Sequence, residues 1–300
     1  MPPHPRAAAT LSAKAISVLI SLVALCTATR ASAALIAYEG FDYADGDLRG
    51  ESGGEGQWQS AWIQGQGFGS GDTWQVGQPS LGYTDSGGRP LPTSGGAARA
   101  DVGGAGNMEF REARTWDSFD YNDDGDVVWF SFLFNRSSGN TSGNHLWIIG
   151  DAGLSNGIGV FINPTNIGAR IQVDFTVYSA GHKSFTVGED HLVVGRITFS
   201  DLMDDEVRFW LDPELDAIPL DIALNSGAVS AALDQTNKNA FYMRQFNSPG
   251  VTTIDEIRIG TDFFSVVRVP EPSSIGFAAA AGMIATLFRS KRLTRKATYP

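Results

Sequence analysis

Helical periodicity is nearly absent from the long middle of this 300-residue chain, and this absence constrains the fold more than any other feature. Residues 46 to 106 hold 18 of the 35 glycines, together with three tryptophans. Glycine at that density favours turns, long loops and short strands, whereas tryptophans are not typical of a flexible linker. Only Leu220 to Leu233 could hold a helix, and Gly227 weakens that prediction.

The remaining body carries patterns typical of strands. Arg170 to Tyr178 alternates between apolar and polar residues, which predicts one half-buried strand of an antiparallel sheet. Val127 to Phe134 is apolar on both faces and predicts a central strand covered on both sides. A hairpin turn is expected at Asp204-Asp205. Further one-sided sets predict other strands: Ile158, Val160 and Ile162; Val193, Ile197 and Phe199; Val207, Phe209 and Leu211; and Ile257 with Ile259. This combination indicates an all-β sandwich.

The N-terminal segment has the order of parts of a secretory signal peptide. Arg6 and Lys14 supply positive charge, and an apolar stretch follows from Ala15 to Ala28. Ala31-Ser32-Ala33 then forms a small-x-small cleavage site before Ala34. We therefore predict a signal helix within residues 1–33, cleaved between Ala33 and Ala34. The single cysteine, Cys26, would leave with it, so disulfides and thiol chemistry are excluded from the exported body.

The C-terminal segment combines a proline motif, an apolar run and a basic end. Pro270-Glu271-Pro272 precedes the run Ile275 to Phe288, after which five basic residues and no acidic residue follow. This pattern predicts a single transmembrane helix whose basic end stays in the cytoplasm. The predicted organisation is thus a signal peptide (1–33), a sandwich domain (34–265) and a sorting segment (266–300). An ordinary anchor after a proline-rich stalk is the alternative.

The tail resembles the PEP-CTERM sorting signal of exported bacterial proteins. The resemblance rests on Pro270, Glu271 and Pro272, the short hydrophobic helix and the basic end, in that order. It implies an exosortase-type membrane transpeptidase as partner. It also implies membrane attachment through the C-terminal helix until processing, and then a place at the cell surface or in the extracellular matrix.

Five segments of the body resemble laminin-G-like, concanavalin A-like domains. They are Ala37 to Tyr43, Trp129 to Leu133, Val194 to Phe199, Arg208 to Pro213 and Ile254 to Thr261. The resemblance implies a jelly-roll sandwich of two antiparallel sheets. It fixes no activity, because lectins, glycanases and adhesion modules share that fold.

The body is strongly acidic once the two ends are set aside. Residues 34 to 288 hold 14 basic and all 33 acidic residues, a net charge of −19. Such a body repels nucleic acid and anionic lipid, so neither is expected as a partner.

The sequence shows no pattern typical of a catalytic centre, and we predict that the protein is not an enzyme. A glycosidase needs two carboxylates flanking one bond, and no strand shows acidic residues at alternate positions. The body histidines, His145, His182 and His191, share no paired spacing and are expected at the surface or in turns. No Gly-x-Ser-x-Gly nucleophile elbow is present.

One acidic turn has the spacing of a calcium loop. Asp120, Asn122 and Asp124 place oxygen ligands at alternate positions, with Gly125 at the turn and Asp126 after it. The position of the bidentate glutamate of an EF-hand is Ser131, so this is not an EF-hand. A simpler Ca²⁺ loop and a plain acidic turn both remain open, and no other cofactor is indicated.

Tryptophans are the candidates for stacking on sugar rings. Trp58, Trp62 and Trp74 lie in the glycine-rich segment, and Trp210 lies out of phase with the apolar side of its strand. The function predicted from these features is a non-catalytic exported module that engages exopolysaccharide. The alternatives are a glycan-active hydrolase or lyase on the same sandwich, and a structural coat protein without a ligand.

Overall fold

Nearly all regular structure in this protein is β-strand. The computed structural model describes residues 34–65, 73–102, 109–121, 123–137, 143–151, 155–201, 203–234, 238–246 and 250–268. These residues form seventeen strands, a 3-10 turn (Phe119–Tyr121) and one short helix, α1 (Phe263–Val267). The strands are β1 (Leu35–Glu39), β2 (Gly46–Asp47), β3 (Glu55–Gly56), β4 (Ile63–Gln64), β5 (Gln75–Gln78), β6 (Ala97–Val102), β7 (Phe110–Thr115), β8 (Val127–Arg136), β9 (Asn144–Gly150), β10 (Gly157–Ile162), β11 (Asn166–Val173), β12 (Thr176–Ser184), β13 (Asp190–Thr198), β14 (Asp205–Leu211), β15 (Ser226–Ala231), β16 (Ala240–Gln245) and β17 (Gly250–Gly260).

The strands form two antiparallel sheets that pack as a sandwich. The first sheet has the order β15-β14-β13-β8-β17-β6-β5-β2, with β1 paired to the second half of β17 and β3 paired to β1. The second sheet has the order β12-β11-β10-β9-β16-β7-β4. The sequence-based prediction of an all-β sandwich is confirmed.

The main core lies between the two sheets. The four apolar sets that begin at Ile158, Val193, Val207 and Ile257 are buried in this core, so those predictions are confirmed. Strand β8 is buried on both faces, as predicted: Phe130, Phe132 and Phe134 face the core. Its opposite face, with Trp129 and Leu133, lies in a second apolar cluster on the outside of the first sheet, beneath α1.

The predicted single strand from Arg170 to Tyr178 is wrong, because the chain reverses within it. Strand β11 ends at Val173, β12 begins at Thr176, and these two residues are paired. Asp174 and Phe175 between them have φ of 46° and 64°. Two consecutive left-handed residues form a type I′ turn, whose twist matches that of a hairpin. The apolar–polar alternation continues through the turn without a break, so the sequence pattern does not reveal that the chain reverses.

Two further local predictions need correction. The segment Leu220 to Leu233 is not a helix: it is an irregular connection followed by β15. The hairpin between β13 and β14 exists, but its turn precedes Asp205, which is a buried residue of β14. The Asp205 carboxylate accepts hydrogen bonds from the backbone N–H groups of Ser200 and Leu233, and this fixes the turn.

Both ends of the described domain lie beside each other on the first sheet. The Ala34 N–H donates to Oγ1 of Thr261, and the Thr261 N–H donates to the carbonyl of Ala34. Residues 1–33 and the motif Pro270-Glu271-Pro272 lie outside the described residues, as do the cleavage positions Ala31 and Ala33. In the part that is described, no helix has the length and apolar character to span a membrane.

The edges of the two sheets meet at a pair of glycines, Gly181 in β12 and Gly227 in β15. A Cβ on Gly227 would lie 2.0 Å from the carbonyl oxygen of Gly181 and 2.6 Å from the ring of Phe209. The Phe209 ring and the Gly181 backbone could not make room for this Cβ without separating the two sheets. Glycine at this position is therefore a packing requirement.

We expect Gly227→Ala to lower the free energy of unfolding by about 1–3 kcal/mol, the usual cost of overpacking. Gly82→Ala is the matched control, since a Cβ there would meet nothing within 4 Å. The control should stay within about 0.5 kcal/mol of the parent. Urea unfolding followed by tryptophan fluorescence measures both, and equal stability of the two variants would contradict the close approach.

Candidate functional site

The carboxylate of Glu39, in the N-terminal motif, is part of a buried structural network. Glu39 is fully buried and accepts hydrogen bonds from the Phe41 backbone N–H (2.9 Å) and the Tyr43 hydroxyl (2.7 Å). The Trp62 indole (3.1 Å) and Arg114 (2.5 Å) also donate to it. Because all of these donors come from the protein, Glu39 serves the fold and is not available to a substrate.

The carboxylates of the C-terminal motif are used in the same way. Asp255 accepts hydrogen bonds from the Ser80 hydroxyl and the Leu81 N–H, and Glu256 accepts one from the Ser94 N–H. Arg258 pairs with Glu256 at 2.5 Å. Burial raises the pKa of Asp255 to about 7 despite its hydrogen bonds. These residues tie the connection after β5 to the first sheet.

The structure places the tryptophans proposed for sugar stacking in the interior. Trp62, Trp74 and Trp210 are at most 1% exposed. Trp58 is half-buried beneath the Arg114 guanidinium, whose carbon lies 4.8 Å from its ring centroid. Trp210 does face outward from its sheet, but it stacks on Trp129 and donates to the carbonyl of Leu220. Buried rings offer a sugar no free face, so Trp62, Trp74 and Trp210 do not stack on a sugar in this structure, while the role of Trp58 stays a prediction.

The candidate calcium loop is an inter-strand turn in the part that is described, which omits Asn122. Asp126 accepts a hydrogen bond from the Asp123 N–H, and Asp124 accepts one from the Asp201 N–H. Asp120 lies in the 3-10 turn before them. Among the described residues, no three histidine, cysteine, aspartate or glutamate side chains are grouped as metal ligands.

A polar and aromatic surface occupies the outer face of the second sheet. Cross-strand pairing places Phe161, His145, Arg244 and Arg111 in one row over β10, β9, β16 and β7. A second row contains Arg170, Gly159, Trp147, Tyr242 and Ala113. We call these two rows, with Glu109 and Phe246 at their margin, the platform.

Small residues make room for the large rings of the platform. A Cβ on Gly157 would lie 2.6 Å from the Trp147 indole, and one on Gly65 would lie 2.1 Å from the Tyr242 ring. Trp147, Tyr242 and Ala113 form an apolar cluster separate from the main core. The rings therefore lie against the sheet itself, which holds them in fixed positions.

Two arginine–phenylalanine pairs flank His145 at the rim of the platform. The guanidinium carbon of Arg170 lies 4.6 Å from the Phe161 centroid, and that of Arg244 lies 4.0 Å from the Phe246 centroid. The His145 ring packs edge-on against both phenylalanines, at 4.8 and 4.6 Å. His145 itself is buried, whereas the four rim side chains are partly exposed.

The platform is positively charged and holds one carboxylate among its described residues. Glu109 pairs with both Arg111 and Arg244, each at 2.6 Å. Burial and then the charge of Arg244 lower the pKa of Arg170 to about 10. Burial and the charges of both Arg170 and Arg244 hold the pKa of His145 well below its usual value, so its imidazole is neutral.

Several polar atoms of the platform are buried without a hydrogen-bond partner. Within the described structure these include Nε2 of His145, Nε1 of Trp147 and the hydroxyl of Tyr242. A buried polar atom without a partner costs about 1–3 kcal/mol, so native proteins rarely contain one without a reason. Several such atoms lie together on this one face of the second sheet.

Sequence reasoning missed the platform because its residues appear singly along the chain. The expectation that His145 lies at the surface or in a turn is wrong: it is a buried residue of β9, and His191 is also buried and bonded to Asp212. The available signal was alternation in Asn144 to Ile148, which places His145 and Trp147 opposite Leu146. The arginines of neighbouring strands carry no such signal.

Comparison with known proteins gives distant likenesses only. No protein-family description matches the sequence, and no curated protein matches it. Similar solved structures include a protein of unknown function from Shewanella oneidensis MR-1 (10% identity, TM-score 0.43, covering 89% of this chain and 100% of that one). Others are an endo-β-1,4-glucuronan lyase from the fungus Trichoderma reesei (16%, 0.39, 69% and 97%) and a carbohydrate-binding module from Bacillus subtilis (9%, 0.34, 61% and 92%). At these TM-scores, the chemistry of the platform rests on this chain's own residues.

We expect Tyr242→Phe to leave the free energy of unfolding unchanged or to raise it by up to about 1 kcal/mol, because the lost hydroxyl has no partner. Tyr43→Phe is the control: it removes a hydroxyl that donates to Glu39 and should cost about 1–2 kcal/mol. Chemical unfolding of both variants checks this. A Tyr242→Phe variant as unstable as the control would mean that the Tyr242 hydroxyl is paired.

The neutral His145 makes a defined contribution to the pH dependence of stability. Its folded pKa is depressed, so it has no effect above the unfolded pKa of about 6.5. Below that pH the unfolded chain binds a proton that the folded chain does not, and stability is lost. Between pH 7.5 and 5.5, the parent should therefore lose about 1 kcal/mol more than His145→Phe. Glu112 and Asp255, whose pKa values are both raised to about 7, titrate in both proteins and cancel. Parallel pH profiles would contradict a buried neutral imidazole.

Proposed function

We propose that this protein is exported to the cell surface, where it binds a glycan on the platform without cleaving it. The observation that carries the proposal is the set of unpartnered buried polar atoms of His145, Trp147 and Tyr242 on one aromatic face. Glycan sites combine flat apolar surface for the C–H faces of sugar rings with donors and acceptors for hydroxyl groups. On the platform, the partly exposed rings of Phe161 and Phe246 supply the apolar surface, whereas the polar atoms of His145, Trp147 and Tyr242 are buried.

The rim supports this proposal through its partly exposed rings. Phe161 and Phe246 have centroids 6.4 Å apart and meet at 75°, so their combined surface is stepped rather than flat. The arginines that stack on them add hydrogen-bond donors to the rim. A ligand lying across the rim would contact apolar and polar groups alternately, as the two faces of a sugar chain require.

The carboxylates available on the platform support the non-catalytic part of the proposal against a hydrolase. A glycosidase needs one carboxyl group as acid and a second as base or nucleophile. Of the described residues, Glu109 is the platform's one carboxylate, and two arginines hold it. A hydrolase on this face is therefore disfavoured, while a structural coat protein without a ligand would not need the unpartnered groups.

The proposed route to the surface rests on the sequence of the two ends. A signal peptide at residues 1–33 and a PEP-CTERM-type tail recognised by an exosortase would deliver the concanavalin A-like body outside the cell. The two ends of the body meet on the first sheet, at Ala34 and Thr261, whereas the platform lies on the outside of the second sheet. Attachment at the tail would leave the platform free.

Calorimetric titration tests the binding proposal. The full chain, kept in mild detergent, is titrated with four hexasaccharides: cellohexaose, its C6-oxidised glucuronate form, and the hexamers of mannuronate and galacturonate. We expect saturable heat with at least one of them, and binding about tenfold weaker for Tyr242→Phe, which loses a ligand hydrogen bond. Tyr43→Phe, away from the platform, should bind as the parent does.

The outcomes separate the three candidate functions. Saturable heat with an intact sugar afterwards supports the proposal. Heat that continues while the sugar shortens, seen by mass spectrometry, overturns the non-catalytic part and favours a glycan-active enzyme. No heat with any of the four, from protein that shows its normal unfolding transition, overturns glycan binding and favours a structural coat protein.

A further inference from the structure

We infer that the ligand of the platform is an anionic glycan, a chain of several carboxylate-bearing sugars, one of whose carboxylates pairs with Arg170, beside Arg244 and its partner Glu109. This inference rests on the proposed function and names the chemical class of its ligand. The unpartnered donors alone would suit any sugar. The positive charges of the rim arginines favour a glycan that carries negative charge.

The platform and the body that carries it have opposite net charge. Residues 34 to 288 have a net charge of −19. The platform opposes this excess with Arg111, Arg170 and Arg244 against the carboxylate of Glu109, and His145 between them is neutral. A local positive surface on an acidic protein attracts anions.

Arg170 is a half-buried cation without a carboxylate partner among the described residues. Its guanidinium is held between the rings of Phe161 and Trp147, at 4.6 and 5.9 Å, and it forms no ion pair with any described residue. Its Nε has no hydrogen-bond partner in the described structure. Burial and the charge of Arg244 both disfavour its charged form, as its lowered pKa shows. An approaching carboxylate would remove both penalties at once, with the paired N–H groups that a guanidinium offers.

Arg196 on the first sheet also packs against two aromatic rings and can be compared with Arg170. Arg196 lies 5.8 Å from the Trp129 centroid and 5.9 Å from that of Trp210. Unlike Arg170, it is paired with carboxylates of the chain, Asp221 at 3.1 Å and Glu206 at 3.8 Å. Stacking on rings therefore does not explain why Arg170 lacks a carboxylate.

The two rim arginines come from separate strands of the second sheet. Arg170 lies on β11 and Arg244 on β16, with β10 and β9 between them. Three strand spacings amount to about 14 Å between their backbones. Two guanidinium groups that come from separate strands can contact more than one carboxylate, which a polyuronate offers.

Cellohexaose and its C6-oxidised glucuronate form test the inference, because they share one backbone and differ in the carboxylates. We expect the full chain to bind the oxidised form at least about tenfold more tightly, and this preference to fall as salt rises. Arg170→Gln should lose about tenfold in affinity for the oxidised form and keep its affinity for any neutral sugar. Arg170→Lys, which keeps the charge but not the fork, should lose less.

Arg196→Gln is the matched control, because it removes a stacked arginine outside the platform. It should bind the oxidised form as the parent does, and unfolding curves show whether each variant is folded. Equal affinity for both hexasaccharides, or equal loss in Arg170→Gln and Arg196→Gln, overturns the anionic ligand while leaving glycan binding intact. Binding of neither overturns this inference; if the mannuronate and galacturonate hexamers also fail, the proposed function fails with it. New ultraviolet absorbance from a carbon–carbon double bond supports the uronate ligand and overturns the non-catalytic part instead.

Discussion

The ion pair between Glu39 and Arg114 is the interaction on which the sandwich depends. Glu39 lies in β1 of the first sheet and Arg114 in β7 of the second, and both are buried at a contact of 2.5 Å. Arg114 also donates to the carbonyls of Ser60 and Gly53, so one guanidinium joins both sheets and the glycine-rich segment. Loss of one partner would leave an unpaired charge in the interior, which typically costs 3–5 kcal/mol.

Alternation along the chain predicted the fold because sandwich strands bury one face each. It succeeded for β8, β10, β13 and β14, whose apolar sets all lie in the core. It failed at Asp174 and Phe175, because a two-residue turn preserves the period of two while the chain reverses. Asp174 suits the first position of such a turn, but Phe175 stands where glycine is usual, so the residue pair does not indicate a turn. The pairing of the glycine-rich segment with β1 and β7 depends on contacts distant in sequence, which no local pattern contains.

The site was harder to predict than the fold for a related reason. Tryptophans in glycine-rich segments suggested exposed rings, but Trp62 and Trp74 fill the core that so many glycines leave without side chains. His145 and Arg170 instead come from separate strands whose neighbours become known from the register of the second sheet. The segment Ala37 to Tyr43 has a structural role, since the Tyr43 hydroxyl donates to the Glu39 carboxylate.

The position of the chain ends has a mechanical consequence. Suppose that the segment after α1 attaches the protein to the cell while a bound polymer pulls on the second sheet. The force then acts on β9 and β16 and is transmitted to β17. Between those layers it crosses the apolar core and the Glu39–Arg114 contact, and β17 is gripped along its length by β8 on one side and by β6 and β1 on the other. Strands hydrogen-bonded on both sides yield under shear of many bonds together rather than by unzipping singly. Under the proposed attachment, β17 would therefore resist the load by shear along its whole length.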